Sequence, residues 1–321
     1  MIKKKILIAT GGTGGHIFPA YSLANYLMNK NFSVVVTTDY RGFKYFQNHK
    51  ILNLKIINSV PIAKKNLFNI IFSISKVIFS FIKSMLFLIS NRPSIVVGMG
   101  GYSSFPICIA AFVLRIKFII YENNLIIGKT NRYLLPFAEK IFVSYEELEG
   151  IPEKYKNKIV EVGNIVREEI INTNLANQEN KFDDLKILVL GGSQAAKIFA
   201  EELPLIFKKL NELKINLKIY QQCQKEQNEL LSQFYQNFNI DYEIFNFSDK
   251  IIDYYLKTNL VITRSGASVL GELININTPF ISIPLPTSAD NHQLKNAEFY
   301  EKKGYGYLLE EKDIKDKLFN L

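Results

Sequence analysis

One construction occurs twice in this chain, and it restricts the possible folds more than any other feature. Lys5-Ile-Leu-Ile-Ala-Thr10 runs into Gly11-Gly-Thr-Gly-Gly15, and later Leu185-Lys-Ile-Leu-Val-Leu190 runs into Gly191-Gly-Ser-Gln-Ala195. Each is a short apolar run closed by glycines and followed by a helix-like pattern. In the first half the helix is expected from about Phe18 to Asn29, and further strand-like runs fall at Ser33–Thr38, Ser94–Gly98, Lys117–Tyr121 and Lys140–Val143. Strands alternating with helices predict parallel sheets covered on both faces. The fold expected is therefore α/β, with two doubly wound Rossmann-like domains facing across a cleft. A hinge is expected near Gly163–Arg167, dividing the chain into domains 1–164 and 165–321. The polar segment Asn172–Asp184 reads as a surface loop.

With 321 residues, 48% of them apolar, two cores can be filled. The two cysteines, Cys108 and Cys223, form no CxxC pair, which suits a reducing cytosol. Met1-Ile-Lys-Lys-Lys5 has the look of a signal-peptide start. The apolar run behind it, Ile6–Ala9, is too short for a signal's core and reads as the first strand.

The formal net charge of +9 is unevenly spread. Between Asp39 and Glu122 no acidic residue occurs, while eleven basic ones do: Arg41, Lys44, Lys50, Lys55, Lys64, Lys65, Lys76, Lys83, Arg92, Arg115 and Lys117. Without them, 28 basic residues face 30 acidic ones. One part of the molecule thus holds the entire positive excess, which implies an anionic partner. Within that part, Leu67–Ser90 is apolar enough to suggest a membrane span. Asn69, Ser73, Lys76, Ser80 and Lys83, however, recur at helical spacing as a polar stripe. Two lysines near a bilayer centre would cost about 2.5–3.5 kcal/mol each. Two readings remain, a helix simply packed on the first sheet or one that also dips into an anionic membrane surface, and the acid-free flanks favour the second. Nucleic acid is not expected as a partner, because the basic segment is largely aliphatic and has no nucleic-acid-binding motif.

Gly11-Gly-Thr-Gly-Gly-His16 lacks the Lys-Ser/Thr of a Walker loop and the third glycine of a dinucleotide fingerprint. It still lets backbone amides approach an anion at a helix N-terminus. Gly98-Met-Gly-Gly-Tyr-Ser-Ser104, Gly191-Gly-Ser-Gln194 and Arg264-Ser-Gly-Ala-Ser-Val-Leu-Gly-Glu272 are three more turns of this kind. Helices are expected to start near Ser103 and after a cap at Ser265 or Gly266. Four such turns in one α/β chain point to a phosphate or sugar-phosphate ligand. No Asp-x-Asp and no metal-spaced His/Cys/Asp cluster occurs. A departing diphosphate is thus expected to be met by amides, helix ends and Arg167.

Taken in order, Gly-Gly-Thr-Gly-Gly-His-Ile-Phe-Pro19, Gly-Met-Gly-Gly-Tyr102, Tyr121-Glu-Asn-Asn124, Gly163-Asn-Ile-Val-Arg167, Gly-Gly-Ser-Gln194, Arg-Ser-Gly-Ala267 and Asn291-His-Gln293 with Asn296-Ala297 resemble the MurG family. The resemblance implies the GT-B fold and an enzyme on the cytoplasmic face of the bacterial inner membrane, bound peripherally. Such enzymes transfer N-acetylglucosamine from UDP-GlcNAc to the 4-hydroxyl of the lipid-linked muramoyl pentapeptide, lipid I, with inversion, giving lipid II of peptidoglycan. It implies a lipid-acceptor first domain and a donor-binding second domain, with no cofactor required and a divalent cation only as a non-essential addition. It places Thr13, Gly14, Gly15, Asn124, Arg167, Ser193, Ser248, Ala267, Ser268, Glu272 and Gln293 around UDP-GlcNAc. Gly100, Gly101 and Tyr102 form the acceptor-side diphosphate loop. Glu272 is assigned the ribose hydroxyls. His16 is the candidate base, with Glu122 as the alternative. The chain ends at Leu321, where the family is expected to continue with a C-terminal helix. A UDP-GlcNAc 2-epimerase is the competing enzyme class, and a nucleotide-binding adaptor the competing non-enzyme.

Overall fold

The computed structural model of the chain describes residues 3–12, 14–46, 53–60, 66–173, 184–192, 195–248 and 250–321. Thr13, Ser193, Lys50, Lys64, Lys65 and most of the expected loop 172–184 lie outside them. The chain forms two compact units, Met1–Glu168 and Glu169–Leu321.

The first unit contains β1 (Lys5–Ala9), α1 (Gly14–Asn29), β2 (Ser33–Thr38), α2 (Tyr40–Phe46), β3 (Leu54–Ile56), α3 (Leu67–Asn91) and β4 (Ile95–Gly98). Next come α4 (Phe105–Val113), β5 (Phe118–Glu122), α5 (Lys129–Leu134), β6 (Lys140–Val143) and β7 (Ile159–Glu161). Its strands pair in parallel in the order β3-β2-β1-β4-β5-β6-β7. Successive strand residues face opposite sides. Ile6 and Ile8 join Val34, Val36, Ile17, Ala20 and Ala24 in one core layer. Leu7 and Ala9 join Val96, Ile120, Ile107, Cys108 and Ala111 in the other.

The helix α6 (Glu168–Ile171) leads into the second unit. There β8 (Leu185–Leu190), α7 (Lys197–Glu212), β9 (Leu217–Gln222), α8 (Asn228–Asn237), β10 (Asp241–Phe245), α9 (Ile251–Tyr255) and β11 (Leu260–Thr263) precede α10 (Ala267–Asn275), β12 (Phe280–Ser282), α11 (His292–Lys302), β13 (Gly306–Leu308) and α12 (Ile314–Lys317). The sheet is again parallel, ordered β10-β9-β8-β11-β12-β13. The strand expectations hold to within a residue at either end.

The first helix differs from expectation. It starts at Gly14, not near Phe18, although glycine is a poor helix former. Pro19 within it has no N–H to offer the Gly15 carbonyl four residues back. The Asn123 side chain, at the end of β5, fills that gap by donating to Gly15 O at 2.8 Å. A tertiary bond thus holds the turn that propensity alone would fray.

The α3 helix also departs from expectation. The polar stripe divides: Ser73, Ser80 and Ser84 are buried, whereas Asn69, Lys76 and Lys83 are exposed. Each inward serine hydroxyl donates to the carbonyl four residues earlier, at 2.7 to 2.8 Å, so no polar group is stranded. Small inward residues let α3 pack on α4. The opposite face carries Phe68, Ile71, Ile78, Phe79, Ile82, Leu86 and Ile89, with Phe68 74% exposed. Leu88 is buried and Phe81, Met85 and Phe87 pack partly on the core, so α3 is apolar on both faces, with its serines on the inner one.

Candidate functional site

Strand order brings the four glycine turns together in pairs. In a doubly wound sheet the crevice opens at the carboxyl ends of the strands where the winding reverses. In the first unit the reversal lies between β1 and β4, so the turn after Ala9 stands beside the turn after Gly98. In the second it lies between β8 and β11, so Gly191-Gly192 stands beside Arg264–Gly266.

The first pair is closely interlocked. A Cβ on Gly11 would lie 2.5 Å from Ser103 Cβ, and one on Gly101 would lie 3.0 Å from the Gly11 carbonyl oxygen. Gly12, Gly100 and Gly101 all have positive φ, which glycine adopts without the Cβ penalty. The His16 imidazole rests on this second turn, since a Cβ on Gly100 would stand 2.9 Å from its Cε1. The Thr10 hydroxyl donates to the His16 carbonyl at 2.9 Å, fixing the first turn of α1. Arg167 lies over the Phe18 ring at 5.3 Å, so it too is held to this unit. Gly14, Gly15, His16, Gly100 and Gly101 therefore gather at one switch point, with Tyr102 beside them.

Glu122 is 2% exposed at the end of β5. Its Oε1 accepts from the backbone and side-chain N–H groups of Asn124, at 3.2 and 3.0 Å. Its Oε2 accepts from Gly128 N and Asn131 Nδ2, both at 2.9 Å. Four donors converge on one buried carboxylate, which makes Glu122 a brace for the Asn123–Gly128 loop and leaves it badly placed as a base. Asn124, expected to contact the donor, is held in place by that brace.

In the second unit, Gly191 is obligatory because a Cβ there would lie 2.0 Å from Ala196 N. Gly266 takes the N-cap position of α10 with extended backbone. Glu272 is 3% exposed and accepts from the Tyr255 hydroxyl at 3.1 Å, while Ala267 is buried and Ser268 half-buried. Gln293 accepts from Leu285 N through Oε1 at 2.9 Å. Ser248 accepts from Lys250 N at 3.2 Å, some way along the chain from the paired turns. Burial pushes the Cys108 thiol far up and that of Cys223 up to about 11, so both stay protonated near neutrality. A cavity of about 630 Å³ lined by Leu260, Phe280, Tyr305 and Tyr307 opens at the amino ends of β11–β13, the wrong end for a substrate crevice.

Two contributors, Asp39 and Asn131, carry no local sequence motif, and a third, Arg264, opens its glycine turn but has a bracing role the motif does not show. Asp39, 4% exposed after β2, accepts from Gly12 N at 3.3 Å, Gly42 N at 2.8 Å and Ser103 Oγ at 3.0 Å. Asn131 ties α5 to the end of β5, donating to Tyr121 O and Glu122 Oε2, both at 2.9 Å. Arg264 is buried, donates to the carbonyls of Ile283 and Pro284 at 3.2 Å, pairs with Glu311 and lies over Phe199 at 4.7 Å. Asp39 left one trace in the sequence, as the last acid before the acid-free stretch. Among the described residues, no group of three or more His, Cys, Asp or Glu is placed to hold a metal.

Two parallel-sheet domains, each with a glycine-turn pair at its switch point, have the two-domain Rossmann-like architecture of the GT-B class. Residues 6–143 match the glycosyltransferase family 28 N-terminal domain and residues 186–321 its C-terminal domain. The chain is 41% identical over 318 residues to the UDP-N-acetylglucosamine--N-acetylmuramyl-(pentapeptide) pyrophosphoryl-undecaprenol N-acetylglucosamine transferase of Pelagibacter ubique, covering 98% of this chain and 87% of that protein. The crystal structure of Acinetobacter baumannii MurG superposes with a TM-score of 0.76 at 25% identity, over 99% of this chain and 90% of that one. A UDP-N-acetylglucosamine 2-epimerase structure shares the fold at a TM-score of 0.65 and 15% identity, over 98% and 86%. The chain belongs to glycosyltransferase family 28, in its MurG branch.

Proposed function

We propose that this chain transfers N-acetylglucosamine from UDP-GlcNAc to undecaprenyl-diphospho-muramoyl pentapeptide, forming the lipid-linked disaccharide. The observation that carries the reading is the 41% identity, across nearly the whole chain, to a transferase of that name. The paired glycine turns supply the chemistry such a reaction needs, with backbone amides and helix ends directed at diphosphates.

The second unit takes the donor. Gly191–Ser193 meets its diphosphate, Ala267–Glu272 the nucleoside and Gln293 the sugar. Ser248 meets the uracil. Tyr255 orients the Glu272 carboxylate toward the ribose hydroxyls. The first unit takes the acceptor's diphosphate at Gly100, Gly101 and Tyr102. Thr13, Gly14, Gly15, Asn124 and Arg167 complete the donor contacts. The acceptor 4-hydroxyl oxygen bonds to the anomeric carbon as the bond to UDP breaks, with inversion. UDP leaves with the bonding pair, and His16 accepts the hydroxyl proton. His16 is favoured over Glu122 because its ring faces the glycine turns, whereas Glu122 is enclosed by four donors. The donor set calls for no divalent ion.

The exposed apolar face of α3 rests in the interfacial layer of an anionic membrane and does not span it, because its serine face is covered by α4. Lys76 and Lys83 lie over Phe72 and Phe79 at 4.2 and 4.5 Å, arranged for stems in the apolar layer and ammonium groups among headgroups. Phe112 and Val113 of α4 extend the apolar surface.

Transfer of labelled GlcNAc from UDP-GlcNAc to a lipid I analogue in detergent, with chelator present, tests the reading. Label in the lipid product is expected. Folded protein that binds UDP but labels no acceptor would overturn it.

A further inference from the structure

Among the described basic residues of the acid-free stretch, Arg41 is built into the first glycine-turn pair. Arg41 lies in the first turn of α2. Its Nε is 3.6 Å from Asp39 Oδ2, and its guanidinium lies over the Tyr102 ring at 5.0 Å. Its Nη2 stands 3.8 Å from where a Cβ on Gly12 would be. Among the described residues its terminal nitrogens make no hydrogen bond, and 57% of its side chain is exposed. We propose that Arg41 binds the diphosphate of the lipid-linked acceptor, with Asp39 as the residue that positions it. The proposal rests on the reading that the first unit takes this acceptor.

An exposed arginine ordinarily serves only solubility, and its side chain wanders. Arg41 is held at one end by a buried carboxylate and on one face by an aromatic ring. The rotamer freedom that binding would otherwise cost is already spent. Guanidinium has five N–H donors, and Asp39 faces only the Nε side, so the terminal fork is left for a partner. That fork matches phosphate oxygens in bidentate fashion. The carboxylate that sets the turns would itself repel a diphosphate, and a cation between them reverses the local sign.

The acceptor is favoured over UDP by a link within the same unit. Asn58, just beyond β3, accepts from Tyr40 N through Oδ1 at 3.1 Å. Its carbonyl accepts from the Ser80 hydroxyl midway along α3. A single residue therefore ties the start of α2 to the helix that carries the exposed apolar face. A lipid tail beside α3 and its diphosphate at Arg41 would be bound to one connected support.

Steady-state kinetics of the full chain with UDP-GlcNAc and a short-prenyl lipid I analogue test this. Arg41→Gln should raise KM for the acceptor about tenfold, the usual loss for a hydrogen bond to a charged group. Its kcat and its KM for UDP-GlcNAc should stay within about twofold of the unaltered enzyme. Arg41→Lys, which keeps charge but loses the fork, should fall between the two. An acceptor KM that does not move, or a UDP-GlcNAc KM that rises equally, overturns the assignment and leaves the functional reading standing. An unaltered chain that transfers nothing would remove both.

Discussion

The two units share one strand order up to the first unit's extra edge strand, yet they secure their glycine turns with groups of opposite charge. In the first, the buried Asp39 carboxylate gathers backbone amides and the Ser103 hydroxyl. In the second, the buried Arg264 guanidinium gathers carbonyls of the segment after β12 and pairs with Glu311. Their long helices differ as well. Helix α7 buries Phe199, Leu203, Ile206 and Phe207 and turns its charged residues outward, whereas α3 buries Ser73, Ser80 and Ser84 alongside Leu88 and leaves Phe68, Phe72 and Phe79 exposed. Topology thus places the turns, while the choice of brace and of helix face decides what each unit is exposed to. A carboxylate brace draws Arg41 to the rim, and α3 leaves an apolar face exposed.

Removing the braces should separate the units most sharply. Arg264→Ala leaves two carbonyls and Glu311 without their partner, and losing one member of a buried pair costs about 3–5 kcal/mol. Chemical denaturation should show that loss, with KM for UDP-GlcNAc raised and the acceptor KM little changed. Asp39→Ala should cost about 2–3 kcal/mol through its stranded amides and raise the acceptor KM instead. If either variant weakens both substrates equally, the division between the units is wrong.

Next in size is the contrast between His16 and Glu122 within the first unit. His16→Ala should lower kcat by about a hundredfold, the usual share of a proton-transfer group, with UDP affinity by calorimetry within about twofold. Glu122→Gln sets an amide against two of its four donors, so it should lower the melting temperature while leaving the pH profile of kcat in place. A Glu122→Gln profile that loses its acidic limb, where protonation of the base shuts the reaction down, would transfer the role from His16 to Glu122.

The helices give a smaller, cleaner test. Replacing Phe79 and Leu86 of α3 with serine should weaken binding to anionic vesicles by more than about tenfold, since each large apolar side chain contributes about 1.5–3 kcal/mol when buried. The melting temperature should not fall. Leu203→Ser on α7 should do the reverse, destabilising the fold and sparing vesicle binding. A fall in melting temperature for the α3 pair would mean that its apolar face is covered by protein.

The glycine turns were legible because a left-handed or crowded backbone position leaves a compositional mark, as at Gly12, Gly100, Gly101 and Gly192. Their pairing was not, because which strands lie side by side depends on winding order and on no local pattern. The length and apolarity of α3 were legible, but the direction of its polar stripe was not. Serine can satisfy its hydroxyl on its own helix and face inward, whereas lysine cannot, so one stripe split in two. Asp39, Asn58 and Asn131 each act through a few bonds that join separate segments of the chain, for which no spacing rule exists.

The smallest effect concerns alkaline pH, and it favours the second unit. Burial raises Cys223 to about 11, and burial together with the Glu243 hydrogen bond raises Tyr254 to about 12. In both cases the folded chain holds the proton more tightly than the unfolded chain does. The stability this contributes is whole below the unfolded values of 9.0 and 10.0 and drains as pH climbs toward 11 to 12. Cys108, in the first unit, is shifted further, so its own contribution also begins to drain near pH 9.0. Two of these three groups lie in the second unit, so its melting transition should move down sooner between pH 9 and 11. Scanning calorimetry that resolves the two units would show this, and equal downward shifts of both transitions would mean that the single fully buried thiol of the first unit matches the pair in the second.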